Sequence, residues 1–292
     1  MSPVSVVLSD HDFTADLKAR DTIAGVEVAF PRIDPVHDAF DDMVRTQRYD
    51  VCEMAIGAFL QARAAGKPLR LLPVVMVGGF QHRNLYASPK ADISSPADLA
   101  GATVGVRSYS QTTGLWVRGW IEEEYGLAAD AMSWAVTEGS HSGDFHDPGN
   151  VRLIDGSIAD ALYAGRVDAA ILGRSGAPDL APLVADHAEQ DRRWFERHGC
   201  VPVNHLVTVT DDLVNGHPEV VREVYRALGA GIARSTENAA TSAGGLPPAV
   251  RSGLGNVRTA VELAAGYAHR QGLVPAPVGG VDALFAFTGE AD

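Results

Sequence analysis

The chain has 292 residues, 46% of them hydrophobic, enough apolar material for one large core or two lobes. Lys plus Arg number 24 against 37 Asp plus Glu, a formal charge of −13, and no long basic run occurs. That balance argues against a nucleic-acid partner, and an anionic ligand would need a local positive pocket in an acidic body. The two cysteines, Cys52 and Cys200, are too few for a disulfide framework or a zinc cluster and are expected to be reduced and buried.

The opening "MSPVSVVLSDHDF" lacks a basic segment, and its apolar run at 4–8 is too short for a signal peptide. The longest apolar stretch, "LRLLPVVMVGGF", holds Arg70 and Pro73, so no membrane span is expected. The expectation is a cytoplasmic protein.

In chain order, residues 4–8 predict a strand, followed by the polar loop "SDHDFT", and 26–30 predict a second strand. Residues 35–46 read as a helix with Val36, Phe40, Met43 and Val44 on one face. A strand at 50–54, a helix at 56–65 and a strand at 71–77 complete a β-α-β-α-β order, which predicts a mostly parallel sheet.

The stretch "ASPKADISSPADLAG" reads as a connection with a short helix entered through Pro96. Then come the strand "ATVGVR" and a polar loop leading to a helix striped by Thr113, Trp116, Val117, Trp120 and Ile121 and ended by Gly126. "MSWAVTE" is a strand. "SIADALYAGRVDAAILG" is helix then strand, with Ser157 as N-cap and Asp160 three residues on. "CVPVNHLVTVT" is a strand. The long helix after it buries Val220, Val221, Val224, Tyr225, Leu228 and Ile232, and 249–271 predict a last helix. Two α/β units joined near 84–95 and 195–208 predict a discontinuous first lobe, residues 1–84 and 206–292, and a second lobe, 85–205. The layout predicts a ligand between lobes, at the carboxyl ends of strands and the N-termini of helices.

Several loops carry groups suited to chemistry. After the first strand, Asp10, His11 and Asp12 are candidate ligand contacts; the competing reading is helix capping by Asp12 or Thr14. Glu53, in "YDVCEMAIGAF", stands among apolar neighbours. It is either a carboxylate salt-bridged under a loop or a partly desolvated acid of raised pKa suited to delivering a proton. His82 and Arg83 follow a strand, and His205 lies at the return connection. Each histidine alone fits a structural role; together, at two crossovers, they predict a facing pair. In "VRSYSQTTG", Arg107, Tyr109, Ser110, Thr112 and Thr113 precede or begin a helix, where backbone N–H groups bind anions, although the same hydroxyls also cap helices. Arg118 with Glu122 reads as a surface i,i+4 pair. His141, Asp144, His146 and Asp147 are metal-ligand types, but their spacing matches no metal site and the stretch reads as a solvated loop.

The segments "YDVCEMAIGAFL", "FQH", "PADLAGATVGVRSYSQTTGLWVRGWIEEEYG" and "GCVPVNHLVTVTDDLVNGHPEV" resemble, in order, parts of the 4,5-dihydroxyphthalate decarboxylase family. The resemblance runs from about residue 4 to 228. It implies an α/β fold of the two-lobed type II periplasmic-binding-protein-like class, mostly parallel sheets with two crossovers. It also implies a cytoplasmic enzyme that removes carbon dioxide from a hydroxylated aromatic acid with no cofactor; no residue is nominated as a metal ligand. On that reading Glu53, His82 and His205 supply the acid and the base, and the start of the helix at 110–113 holds a carboxylate. The partner is a small-molecule carboxylate, with no nucleic acid or membrane, and a homo-oligomer is compatible.

The chain departs from the family pattern where arginines are expected: Phe13 and Gln81 replace two, and Gly78 or Gly79 stands at a third. Arg83 is placed to compensate for one. A less anionic substrate than dihydroxyphthalate, or another reaction on the same scaffold, is the expectation. The readings in competition are a non-catalytic solute-binding or sensor protein and a superfamily enzyme of pyrimidine or quinone biosynthesis.

Overall fold

Short runs rich in Val, Ile and Leu become two sheets, one in each of two units, in a computed structural model that describes residues 2–139, 146–173, 176–238 and 245–287. Unit 1 is Met1–Gly79, Gly199–Leu263 and Pro277–Asp292; unit 2 is Phe80–His198 and Ala264–Ala276. The strands are β1 (Val4–Val7), β2 (Thr22–Ile23), β3 (Val26–Ala29), β4 (Val51–Ala55), β5 (Leu69–Gly78), β6 (Leu85–Ala87), β7 (Thr103–Val106), β8 (Ser133–Val136), β9 (Val151–Leu153), β10 (Ala169–Ile171), β11 (Val203–Thr210) and β12 (Arg251–Ser252). The helices are α1 (Ala15–Lys18), α2 (Phe40–Thr46), α3 (Ile56–Ala64), α4 (Thr112–Tyr125), α5 (Ile158–Ala164), α6 (His187–His198), α7 (Asp211–Gly216), α8 (Pro218–Asn238) and α9 (Leu254–Arg270). No helix among the described residues is long and apolar enough to cross a membrane.

The unit 1 sheet runs β12-β5-β11-β4-β1-β3-β2. Only the β1–β3 and β1–β4 pairs are parallel; the rest are antiparallel. This corrects the expected mostly parallel sheet. β11 arrives late in the chain, inserts between β4 and β5, and runs against both. β4 is therefore central and covered on both faces, which is why its residues Val51–Met54 are all buried. One face of the sheet packs on α8, where Val220, Val221, Val224, Leu228 and Ile232 are buried with Leu72, Val74 and Val207. Each such side chain contributes about 1.5–3 kcal/mol on burial. α8 comes close to the loop after β1 because Gly231 has no side chain: a Cβ there would lie 2.2 Å from the Phe13 carbonyl oxygen.

The unit 2 sheet runs β6-β10-β7-β8-β9, with only β6–β10 antiparallel. Ser157 caps α5 by accepting the Asp160 N–H at 3.0 Å. Gly126, at φ 69°, ends α4 as the sequence predicts. Arg118, read as a surface partner of Glu122, is instead buried. Its guanidinium lies over the Tyr109 ring and donates to the Tyr109 carbonyl and to Gln271 Oε1, while Glu122 pairs with Arg270. The α4 face holding Arg118 also holds Gly114, which leaves room beside the first turn for the long side chain.

Two boundaries differ from expectation, and one helix, α6, was not expected. Residues 36–39 form a 3-10 turn before α2. Arg251 and Ser252 are a strand, because Gly253 turns the chain at φ 103° before α9 begins. α6 carries no clear apolar stripe, and Trp194 is its one buried residue. Cys52 and Cys200 are buried free thiols.

Candidate functional site

Strand arithmetic brings the central pair together. In the β4–β11 ladder Glu53 stands opposite Val207 and Ala55 opposite His205. Side chains alternate faces, so Glu53 and His205 are diagonal neighbours on one face, a separation that two long polar side chains can bridge. The β11–β5 pairing shifts register on both sides of His205, an irregularity of the kind that re-aims a side chain. His205 Nδ1 lies 2.7 Å from Glu53 Oε1. The Ser9 N–H, two residues past β1, donates to Glu53 Oε2 at 3.0 Å. Phe40 meets the imidazole edge-on at 5.4 Å between centroids.

Glu53 is fully buried, whereas the His205 side chain is 25% exposed. Burial pushes the Glu53 carboxyl up, but the hydrogen bond and charge of His205, with the Ser9 N–H, outweigh it and hold Glu53 below its ordinary value. Of the two readings of Glu53, this corrects the raised pKa and agrees with a paired carboxylate. An ionised carboxylate only accepts hydrogen bonds, so Nδ1 of His205 is the donor and Nε2 is the atom left for chemistry. A buried carboxylate orienting an imidazole whose far nitrogen is open is an acid–base device.

His82 belongs to unit 2 and is 2% exposed. Its Nδ1 lies 2.6 Å from Asp191, its Nε2 faces Glu124 at 3.6 Å, and its ring lies 4.8 Å from that of Trp120. Burial works against the charged ring, yet the hydrogen bonds and charges of Asp191 and Glu124 prevail and raise its pKa. The geometry is that of a cation tying α4 and α6 to the turn after β5.

The other predicted residues scatter in role. Asp10 is exposed and paired with Lys18 at 2.5 Å. Asp12 is exposed at the start of a 3-10 turn, and Thr14 Oγ1 accepts the His11 N–H at 3.0 Å, so Thr14 does the capping. His11 stacks flat on Phe13 with its Nε2 buried. Arg83 is exposed, and Arg107 faces Glu138 at 3.6 Å. Tyr109 is buried with its hydroxyl on the Gln271 carbonyl, so its side chain presents no free group to a ligand. Ser110 is buried with its Oγ 3.1 Å from Ser108 Oγ. Thr112 and Thr113 are buried at the start of α4, where Gln111 makes no side-chain capping bond. His141 and Asp144 lie outside the described residues. The Asp147 carboxyl is raised by burial, against the nearby charge of Arg118.

The structure adds groups that the sequence reading missed. A groove of about 540 Å³ in unit 1 lies at the carboxyl ends of β1 and β3, with Ser9, Lys18, Phe30, Arg32 and Val36 among its walls. Ser9 joins it to the Glu53–His205 pair. The one available signal was "FPRIDP", a proline-flanked arginine directly after a strand. The missing arginines also find a physical reason. A Cβ at Gly78 would lie 2.8 Å from the Pro202 carbonyl oxygen, and Phe13 is packed in the core under α8.

Residues 23–241 match the family model described as NMT1/THI5 like. The chain is 29% identical over 248 residues to the 4,5-dihydroxyphthalate decarboxylase of Comamonas testosteroni, covering 77% of this chain and 73% of that protein. It is 35% identical over 189 residues to the enzyme of the same name from Pseudomonas putida, covering 59% and 73%. Among solved structures it is similar to the periplasmic aliphatic sulphonate binding protein SsuA from Escherichia coli, with a TM-score of 0.57 at 14% identity over 97% of this chain and 98% of that one. It is also similar to a mutant of the desulfurization enzyme DSZB in complex with biphenyl-2-sulfinic acid, with a TM-score of 0.56 at 15% identity over 97% and 96%. These likenesses show the two-lobed, type II periplasmic-binding-protein-like α/β fold. One scaffold hosts a binding protein and an enzyme, so activity must be argued from the site.

Proposed function

Because this chain belongs to the NMT1/THI5-like family, with 4,5-dihydroxyphthalate decarboxylases among its relatives, we propose that it is a carbon–carbon lyase removing carbon dioxide from a small hydroxylated aromatic carboxylate. The observation that carries the reading is the 2.7 Å contact between buried Glu53 and partly exposed His205. His205 Nε2 takes the phenolic proton, and ionised Glu53 stabilises the resulting imidazolium through Nδ1–H. The phenolate pushes its electrons into the ring. The imidazolium returns the proton to the ring carbon that bears the carboxylate. The bond from that carbon to the carboxylate then breaks, carbon dioxide leaves, and the electron pair restores the aromatic phenolate. His205 is the catalytic residue of this proposal and Glu53 its positioning residue. His82, engaged by two carboxylates, serves the stability of unit 2. The reading places the enzyme in the cytoplasm, where the two free thiols fit a reducing compartment.

The test follows carbon dioxide release from hydroxylated benzoates and phthalates alongside thermal shift. His205→Asn is expected to lose turnover by about 10²–10⁴-fold while ligand stabilisation persists. Glu53→Gln is expected to lower kcat with little change in KM and to alter the pH profile of kcat. Stabilisation without turnover by the wild type across the set overturns the lyase reading in favour of a solute-binding protein.

A further inference from the structure

In unit 2, α6 docks with little apolar contact. It buries one side chain, Trp194, which packs edge-on against Phe80 and Trp116 and beside His198. Charged pairs supply further attachments. Asp191 of α6 meets His82 Nδ1 at 2.6 Å, and Glu124 of α4 faces His82 Nε2 at 3.6 Å. The side chains of His82, Asp191 and Glu124 are 2%, 15% and 12% exposed, so little water reaches the three groups. At the end of the helix His198 Nε2 lies 3.0 Å from Glu123, and Arg197 lies 3.9 Å from Glu124. Arg192 and Arg193 pair with Glu189 within the helix, and Arg83, next to His82, is exposed. The phenols of Tyr125 and Tyr267 stay neutral: burial raises both, with the charges of Glu124 and Asp186 acting on the first and Glu123 on the second.

A neutral imidazole has one N–H donor and one lone pair. With Nδ1–H on Asp191, the lone pair of a neutral Nε2 would point at the Glu124 carboxylate, and no cation would stand between the two acids. Only the imidazolium serves both, and carboxylates left unpaired in a poorly hydrated site are strongly destabilising. We propose that α6 is a pH-released helix, docked on α4 while His82 is protonated and set free as a unit when that proton leaves, with the rest of unit 2 still folded. Burial works against the imidazolium, but the hydrogen bonds and charges of Asp191 and Glu124 prevail and raise its pKa above 6.5. Docking is therefore complete below pH 6.5 and weakens as pH rises through the folded value. The strain is relieved by α6 rather than by α4, because α4 buries Leu115, Trp116, Val117, Trp120 and Ile121 whereas α6 buries Trp194 alone.

The experiment is fluorine NMR of the full chain labelled with 5-fluorotryptophan, titrated from pH 6 to pH 10. The shift of each signal between light and heavy water reads the exposure of its ring. Four tryptophans give four signals, and Trp194→Phe assigns the one from α6. The Trp194 ring is expected to pass from buried to exposed in one transition above pH 6.5, while Trp134, buried in β8, stays buried throughout. In Glu124→Gln the amide donates to neutral Nε2, so Trp194 is expected to stay buried across the range. His198→Gln is expected to keep the wild-type midpoint. A wild-type Trp194 still buried at pH 10, or exposure of Trp134 together with Trp194, overturns the inference. So does a Glu124→Gln protein with Trp194 exposed at pH 6 or with the wild-type transition, or loss of the transition in His198→Gln. The wild-type titration decides the matter if a variant fails to fold.

Discussion

Glu53 is buried among Val51, Cys52 and Met54 and stays ionised because two groups donate to it together, the His205 ring and the Ser9 N–H. Removing either donor leaves a buried charge without its full shell, a change that costs several kcal/mol in a dry site. The same logic governs Phe13. Its side chain belongs to the core with Leu17, Val224 and Leu228, and its carbonyl lies against Gly231. Phe13→Arg, which copies the family's arginine, would bury a guanidinium there with no carboxylate provided. We expect it to lower the unfolding free energy by about 3 kcal/mol or more in urea titration, and not to strengthen phthalate binding. A stable Phe13→Arg protein that binds phthalate more tightly would show that the pocket can accept the family's cation after all.

At the scale of elements, close approaches decide which helices can dock. Gly231→Ala in α8 sets a methyl group against the Phe13 carbonyl, and backbone rather than a flexible side chain must move. The expected loss is about 1–3 kcal/mol by urea unfolding, with no change in secondary structure by circular dichroism. A neutral substitution would mean that α8 slides freely over the loop after β1. Element identity was largely legible in the sequence, because α8 carries a strong helical apolar period, β4 is a short apolar run, and Gly126 and Ser157 are plain end signals. What was not legible is β11 lying between β4 and β5, since no local pattern in "VNHLVTVT" names its neighbours. The Glu53–His205 contact depends on that insertion, so its residues could be nominated from sequence but their geometry and protonation could not. α6 escaped for a different reason: with Trp194 as its one buried residue, it shows no apolar stripe to read.

Across the whole molecule, the two units carry buried charge of opposite linkage, and this predicts how stability varies with pH. Glu53 in unit 1 has a folded pKa below its ordinary value of 4.5. Its contribution is present above pH 4.5 and is lost as pH falls through the folded value. His82 in unit 2 has a folded pKa above 6.5. Its contribution is complete below pH 6.5 and is lost as pH rises through the folded value. Thermal melts of wild type, Glu53→Gln and His82→Asn across pH 3.5–9 separate the two. The wild-type advantage in Tm over Glu53→Gln should shrink at the acid end, and that over His82→Asn should shrink at the alkaline end. Removing the His82 ring also leaves Asp191 and Glu124 facing each other's charge, so this variant should melt well below wild type near pH 6. A His82→Asn gap that widens as pH rises would mean that the ring is neutral in the folded protein. The cationic tie between α4 and α6 would then be wrong, and His82 would again be open to acid–base work.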